Sequence, residues 1–132
     1  MKTSYLIILI IILLIISLFF VRFVIGGDED SWIKDSKGVY VKHGNPAETP
    51  DYVLKQQRAI TQAQTFYDAA QNAGTEFSSQ CLGSFNDYAF DIVHVPRTAE
   101  DNQIENQCED YVQGIVNHFI ELDKDGNIVK VV

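Results

Sequence analysis

The residues with chemistry to offer are two cysteines, Cys81 and Cys108, three histidines, His43, His94 and His118, and carboxylates that include Asp91 and the run Asp123-Lys124-Asp125-Gly126-Asn127. A cysteine beside a histidine could act as nucleophile and base, because an imidazolium lowers the thiol pKa. Histidines converging with Asp91 could hold a metal, and the oxygens of the Asp123 run are those of a calcium loop. Spacing argues against the metal and the calcium loop. His94 and Asp91 are three apart on a predicted strand and point to opposite faces. The glycine of the Asp123 run is fourth where a calcium loop needs it sixth, and the chain ends before the twelfth-position acid. No G-x-S-x-G, Gly-rich phosphate loop or H-E-x-x-H occurs, and no cofactor motif is recognised.

The two cysteines are better read as one disulfide. Their count is even and they lie behind a long apolar segment, the context in which thiols oxidise. Closing a loop of about 28 residues stabilises a fold by roughly 3 to 4 kcal/mol on the chain-entropy model.

That apolar segment, Tyr5 to Ile25, contains only Ser17 and Arg22 as strongly polar residues. As a helix it would rise about 31 Å, so it is expected to be a transmembrane signal anchor over residues 1–27. Val24-Ile25-Gly26 is a tolerable cleavage site, but the run exceeds a signal peptide's core and no Ala-x-Ala follows. Lys2 and Arg22 balance in the positive-inside count. The short amino tail, the acidic Asp28-Glu29-Asp30 and the cysteines place the C-terminal domain outside the cytoplasm, in a single-pass protein of the cell membrane.

The net charge is −8, and all 18 acidic residues lie beyond Gly27 with eight of the Lys and Arg, so the remainder carries about −10. Such a surface repels phosphate backbones, which excludes nucleic acid as a partner. Residues 28–49 read as a juxtamembrane hairpin and linker, with strands Ser31-Trp32-Ile33-Lys34 and Val39-Tyr40-Val41-Lys42 around Asp35-Ser36-Lys37-Gly38. Residues 50–132 read as one small α+β domain. Its main helix, Pro50 to Ala73, buries Val53, Ile60, Ala63, Tyr67 and Ala70 and exposes Gln56, Gln57, Arg58, Gln62 and Asp68.

Glu76 to Asn86 is expected as loop, Tyr88 to Val95 as strand ended by Pro96, and Glu100 to Gln113 as a second helix. Val116 to Leu122 and Asn127 to Val132 form a hairpin about Asp-Gly. The expected fold is an antiparallel sheet of three or more strands packed on the helix and tied by one disulfide.

The run Trp32-Ile33-x4-Gly38-x-Tyr40-Val41-Lys42-His43-Gly44-Asn45-Pro46 resembles a segment that follows the anchor in small, uncharacterised membrane-anchored envelope proteins of archaea and little-studied bacteria. Those proteins often carry a cysteine after the Trp-Ile pair, where this chain has Lys34. The resemblance implies an envelope location and brings no activity. Trp32, Tyr40, His43 and Asn45 form a candidate recognition patch, because aromatic residues carry interface energy. The functional expectation is an extracytoplasmic binding or structural module with an envelope-protein partner. A membrane-anchored hydrolase-like enzyme using a histidine and a pilin-like subunit are the alternatives.

Overall fold

The computed structural model describes residues 2–22 and 30–132. Contacts divide the chain into two units, Met1–Ile33 with Val41–Pro50, and Lys34–Tyr40 with Asp51–Val132. The first holds α1, Lys2–Phe20, in which every large apolar side chain from Tyr5 to Val21 is exposed. β1 (Ser31–Lys34) and β2 (Tyr40–His43) pair as a two-stranded sheet, the expected hairpin.

The expected membrane span over Tyr5 to Ile25 is not met. No helix among the described residues is long and apolar enough to cross a membrane. The α-helix ends at Phe20, and from Tyr5 to Phe20 it rises about 24 Å, short of the ~30 Å of a bilayer's hydrocarbon core. The single-pass attachment, the membrane as partner and the cell-membrane placement rested on that span and fall with it. The expected helix stop at Gly26-Gly27, the Val24-Ile25-Gly26 site and Asp28-Glu29 lie outside the described residues.

The second unit is α+β. Its helix α2, Asp51–Asn72, lays Val53, Gln56, Ala59, Ala63 and Tyr67 on one face at helical spacing. The sheet contains β3 (Gln80–Phe85), β4 (Tyr88–Ile92), β5 (His118–Leu122) and β6 (Ile128–Val131), in that spatial order. β3–β4 and β5–β6 are antiparallel hairpins, whereas β4 and β5 run parallel. The expected antiparallel sheet is therefore mixed. Residues 93–117 make the long crossover a parallel pair requires.

Two further expectations are corrected. β3 occupies most of the expected loop before Asn86, pairing with β4 through the tight turn at Asn86-Asp87. The expected helix Glu100 to Gln113 is instead two 3-10 turns, Glu100–Asn102 and Ile104–Asn106, then the single-turn α3, Glu109–Val112. Asp101 accepts from the N–H groups of His94 and Thr98, upstream of the first of these turns.

Alternation along β4 and β5 gives the sheet two faces. Phe90, Ile92, Ile120 and Leu122 pack with Ala59, Ala63, Tyr67 and Val131 in the main core under α2. Ala89, Cys108 and Val116, with Tyr111 and Phe119, form a smaller core on the other side. Cys81 and Cys108 are joined as expected, across a sequence separation of 27.

Gln56, assigned to the solvated face, is 2% exposed. Its amide donates to Gly38 O (2.9 Å) and accepts from Tyr40 N–H (2.8 Å), so burial is satisfied. Gly38, at φ 87°, has Val131 O 2.0 Å from where a Cβ would stand, which only glycine permits. The Asp123 run closes as a turn: Asp123 Oδ1 accepts from the N–H groups of Asp125 and Asn127 at 2.9 and 2.8 Å.

Candidate functional site

The first three residues of the parallel register bring Tyr88 opposite His118, Ala89 opposite Phe119 and Phe90 opposite Ile120. Tyr88 and His118 thus continue the row of core residues outward, beyond Phe90 and Ile120, on the α2 side. Their rings stack with centroids 4.9 Å apart. The first turns of α2 contribute Tyr52, Lys55, Gln56 and Ala59, which recur at helical spacing. Tyr40, held by Gln56, sets its ring 4.9 Å from Tyr52, and the Lys34 ammonium lies 5.2 Å from the Tyr40 centroid. These residues, with Asn86 and Asp87, enclose a cleft of about 450 Å³, within the size range of small-molecule sites.

Its electrostatics are mixed. Asp87 Oδ1 accepts from Asn117 N–H (2.8 Å) and Nδ2 (2.9 Å), and its Oδ2 is 3.4 Å from His118 Nε2. The Asn117 N–H, aided by the Asn117 side chain, His118 and Lys55, holds the Asp87 carboxyl below its ordinary range. His118 Nδ1 lies 3.2 Å from Val132 O, so both ring nitrogens face acceptors. Burial, then Tyr40 and Asp87, raises the Tyr88 phenol and keeps it a neutral donor. Among the described residues the hydroxyls of Tyr40, Tyr52 and Tyr88 make no hydrogen bond, and Lys34 and Lys55 form no ion pair.

The opposite face carries a second polar group. Asp91 and Glu121 are register partners, 8% and 5% exposed. Arg97 binds Glu121 through Nη1, Asp101 O through Nη2 (3.1 Å) and Asn102 Oδ1 through Nε (3.2 Å). Burial opposes ionisation of Asp101, yet the N–H groups of Thr98 (2.6 Å) and His94 (3.0 Å), with both their side chains, outweigh it and hold the carboxyl far below its ordinary value. Asp91 goes the other way. Burial, with the Glu121 charge, pushes it up to about 6 against the Cys108 N–H and Arg97. The cavity among these groups is only about 70 Å³, room for water and not for a substrate.

The residues singled out from the sequence are dispersed. Of the candidate patch, Tyr40 lines the cleft. Trp32, His43 and Asn45 belong to the other unit, where Trp32 Nε1 donates to Glu48 O (3.0 Å) and Lys42 covers the Trp32 ring at 5.7 Å. His94 pairs with Asp101 at 3.0 Å and not with Asp91, while His118 faces Asp87. Sequence reasoning missed Lys34, Tyr52, Lys55, Asn86, Asp87 and Tyr88 as site residues. The helical spacing of Tyr52, Lys55, Gln56 and Ala59 was a usable signal; the register aligning Tyr88 with His118 has none in the chain.

Comparison with protein-family models, with curated proteins and with solved structures finds no match to this chain.

Proposed function

We propose that the chain is a binding module whose site is the tyrosine-lined cleft, and that its ligand is a small ring-bearing anion. The observation that carries this reading is the convergence, on one cleft of about 450 Å³, of three phenols that have no hydrogen-bond partner among the described residues. Tyr52 is exposed and Tyr40 and Tyr88 are half-buried, so their hydroxyls are open to water or to the polar groups of a ligand that displaces it. The stacked and tilted rings offer flat apolar contact. Lys34 and Lys55 bring two ammonium groups to the cleft against the side-chain carboxylate of Asp87, a local cationic contribution within an acidic protein.

Titration of the full chain with glucuronate and with 4-hydroxybenzoate, followed by amide NMR shifts, tests it. Glucose and 4-hydroxybenzyl alcohol serve as uncharged counterparts. At least one anion is expected to move the signals of Lys55, Asn86, Tyr88 and His118 at lower concentration than its counterpart, and Tyr88→Ala to abolish the response. Shifts scattered over the surface, or an unaffected Tyr88→Ala variant, would remove the cleft as a site.

A hydrolytic reading has one observation in its favour, since His118 and Asp87 share the cleft as imidazole and carboxylate. Among the described residues no Ser, Thr or Cys lines it, so His118 would have to activate water directly. Hydrolysis of 4-nitrophenyl acetate that disappears in His118→Asn would favour the enzyme over the module.

A further inference from the structure

The buried carboxyl of Asp91 and the Cys81–Cys108 bond share the face of the sheet away from the cleft. Cys81 is the register partner of Asp91, so the two side chains leave the β3–β4 pair on one side. One carboxylate oxygen of Asp91 and the two sulfurs all lie within 4.8 Å of one another, and Asp91 Oδ1 accepts the Cys108 N–H at 3.2 Å. The two cysteines differ in exposure. Cys81 is exposed on the edge strand, where the β3–β4 register breaks before Gly83. Cys108 is 1% exposed and packs with Ala89, Val116, Tyr111 and Phe119.

We infer that Cys81–Cys108 is an exchangeable disulfide that external dithiols reduce by attack at Cys81, with Asp91 as the proton donor to Cys108. The inference is independent of the proposed ligand cleft. A purely structural disulfide requires no buried carboxyl beside it, and a carboxyl taken out of water costs free energy. Exposed disulfides are the more readily reduced ones.

In the step, one thiolate of the dithiol attacks Cys81 Sγ and forms a mixed disulfide. The Cys81–Cys108 bond breaks, and its electron pair leaves on Cys108 Sγ. An apolar setting disfavours that thiolate, so the Asp91 acid protonates it directly or through one water. The second dithiol sulfur, as thiolate, then attacks the first and closes the reductant's own disulfide. Cys81 leaves as thiolate and takes a proton from solvent, as Asp91 does. The protein gains two thiols and the dithiol becomes a disulfide. In reverse, Asp91 is the base that draws the proton from Cys108. The cavity beside Asp91 supplies the proton path; Arg97, Asp101, Glu121 and Tyr111 are the other titratable groups lining it.

The test is reduction of the full chain by dithiothreitol from pH 5 to 8, with rates divided by the thiolate concentration. The wild-type value is expected to fall about tenfold or more across the range in which Asp91, held near 6, loses its proton. Asp91→Asn keeps an oxygen for the Cys108 N–H. It should be slower at pH 5 by a similar factor and flat with pH. A variant that matches the wild-type profile, or is faster throughout, would overturn the inference. A second measurement needs no variant: mass spectrometry of the adduct trapped with glutathione should find it on Cys81, and an adduct on Cys108 would equally overturn it.

Discussion

The two faces of the β4–β5 pair are built by adjacent residues and do opposite things with polar groups. On the α2 side, Tyr88 and His118 extend the core rows into a roomy cleft lined by phenols that have no hydrogen-bond partner among the described residues. On the other side, Asp91 and Glu121 sit one position from the core residues, beside a small cavity, and among the described residues no buried side-chain N or O atom lacks a hydrogen-bond partner. Burial therefore tunes the second face electrically while the first stays open to a ligand. A consequence is that substitutions on the buried face should move stability, and substitutions in the cleft should move binding.

The largest effect is expected from Cys81→Ser combined with Cys108→Ser, which removes the tie between β3 and the residue preceding α3. Loss of about 3 to 4 kcal/mol is expected in urea unfolding, with the cleft's NMR response to its anion retained. If the cleft fails with the disulfide, the two faces are not separable.

Asp91→Asn should act next, and with a sign that depends on pH. The folded-state pKa of Asp91 is raised from 3.8 to about 6, so its contribution is favourable below about pH 4 and is lost as pH rises through 6. The wild type then carries a penalty of up to about 3 kcal/mol at pH 8. Asp91→Asn should be more stable than the wild type at pH 8 and equal to it near pH 4. A gain that does not vary with pH would show that packing, and not ionisation, separates the two.

Gln56→Leu sharpens the boundary between the regions. It strands Gly38 O and Tyr40 N–H in a half-buried place and should cost about 1 to 3 kcal/mol. Because Gln56 holds Tyr40 at the cleft, ligand binding should weaken as well, which calorimetric titration would measure. The smallest stability change belongs to Tyr88→Phe, which deletes one hydroxyl that has no hydrogen-bond partner among the described residues. Thermal unfolding should stay within about 0.5 kcal/mol of wild type, while affinity for the cleft's anion falls several-fold.

Local chemistry made much of the fold legible in the chain. Val53, Ala63 and Tyr67 at helical spacing marked α2, Asp-Gly between β-rich arms marked the β5–β6 hairpin, and an even cysteine count marked the Cys81–Cys108 bond. Such signals depend on neighbours within a few residues, where propensity and periodicity decide. The apolar composition of Tyr5 to Ile25 was equally plain, yet helix length is a property of the folded backbone, and the α-helix described stops at Phe20. Gln56 looked solvated because polarity is a poor guide to burial once a backbone segment supplies its partners.

The sequence by itself determined α2, β4 and the β5–β6 hairpin of the second unit, its disulfide and the absence of familiar catalytic motifs; it missed β3 and read the turns from Glu100 to Gln113 as one helix. Only the tertiary structure decided that β4 and β5 run parallel. That crossover aligns Tyr88 with His118 for the cleft and Asp91 with Glu121 for the buried face. The physical reason is that register between strands 30 residues apart is chosen by the packing of both faces at once, which no local pattern encodes.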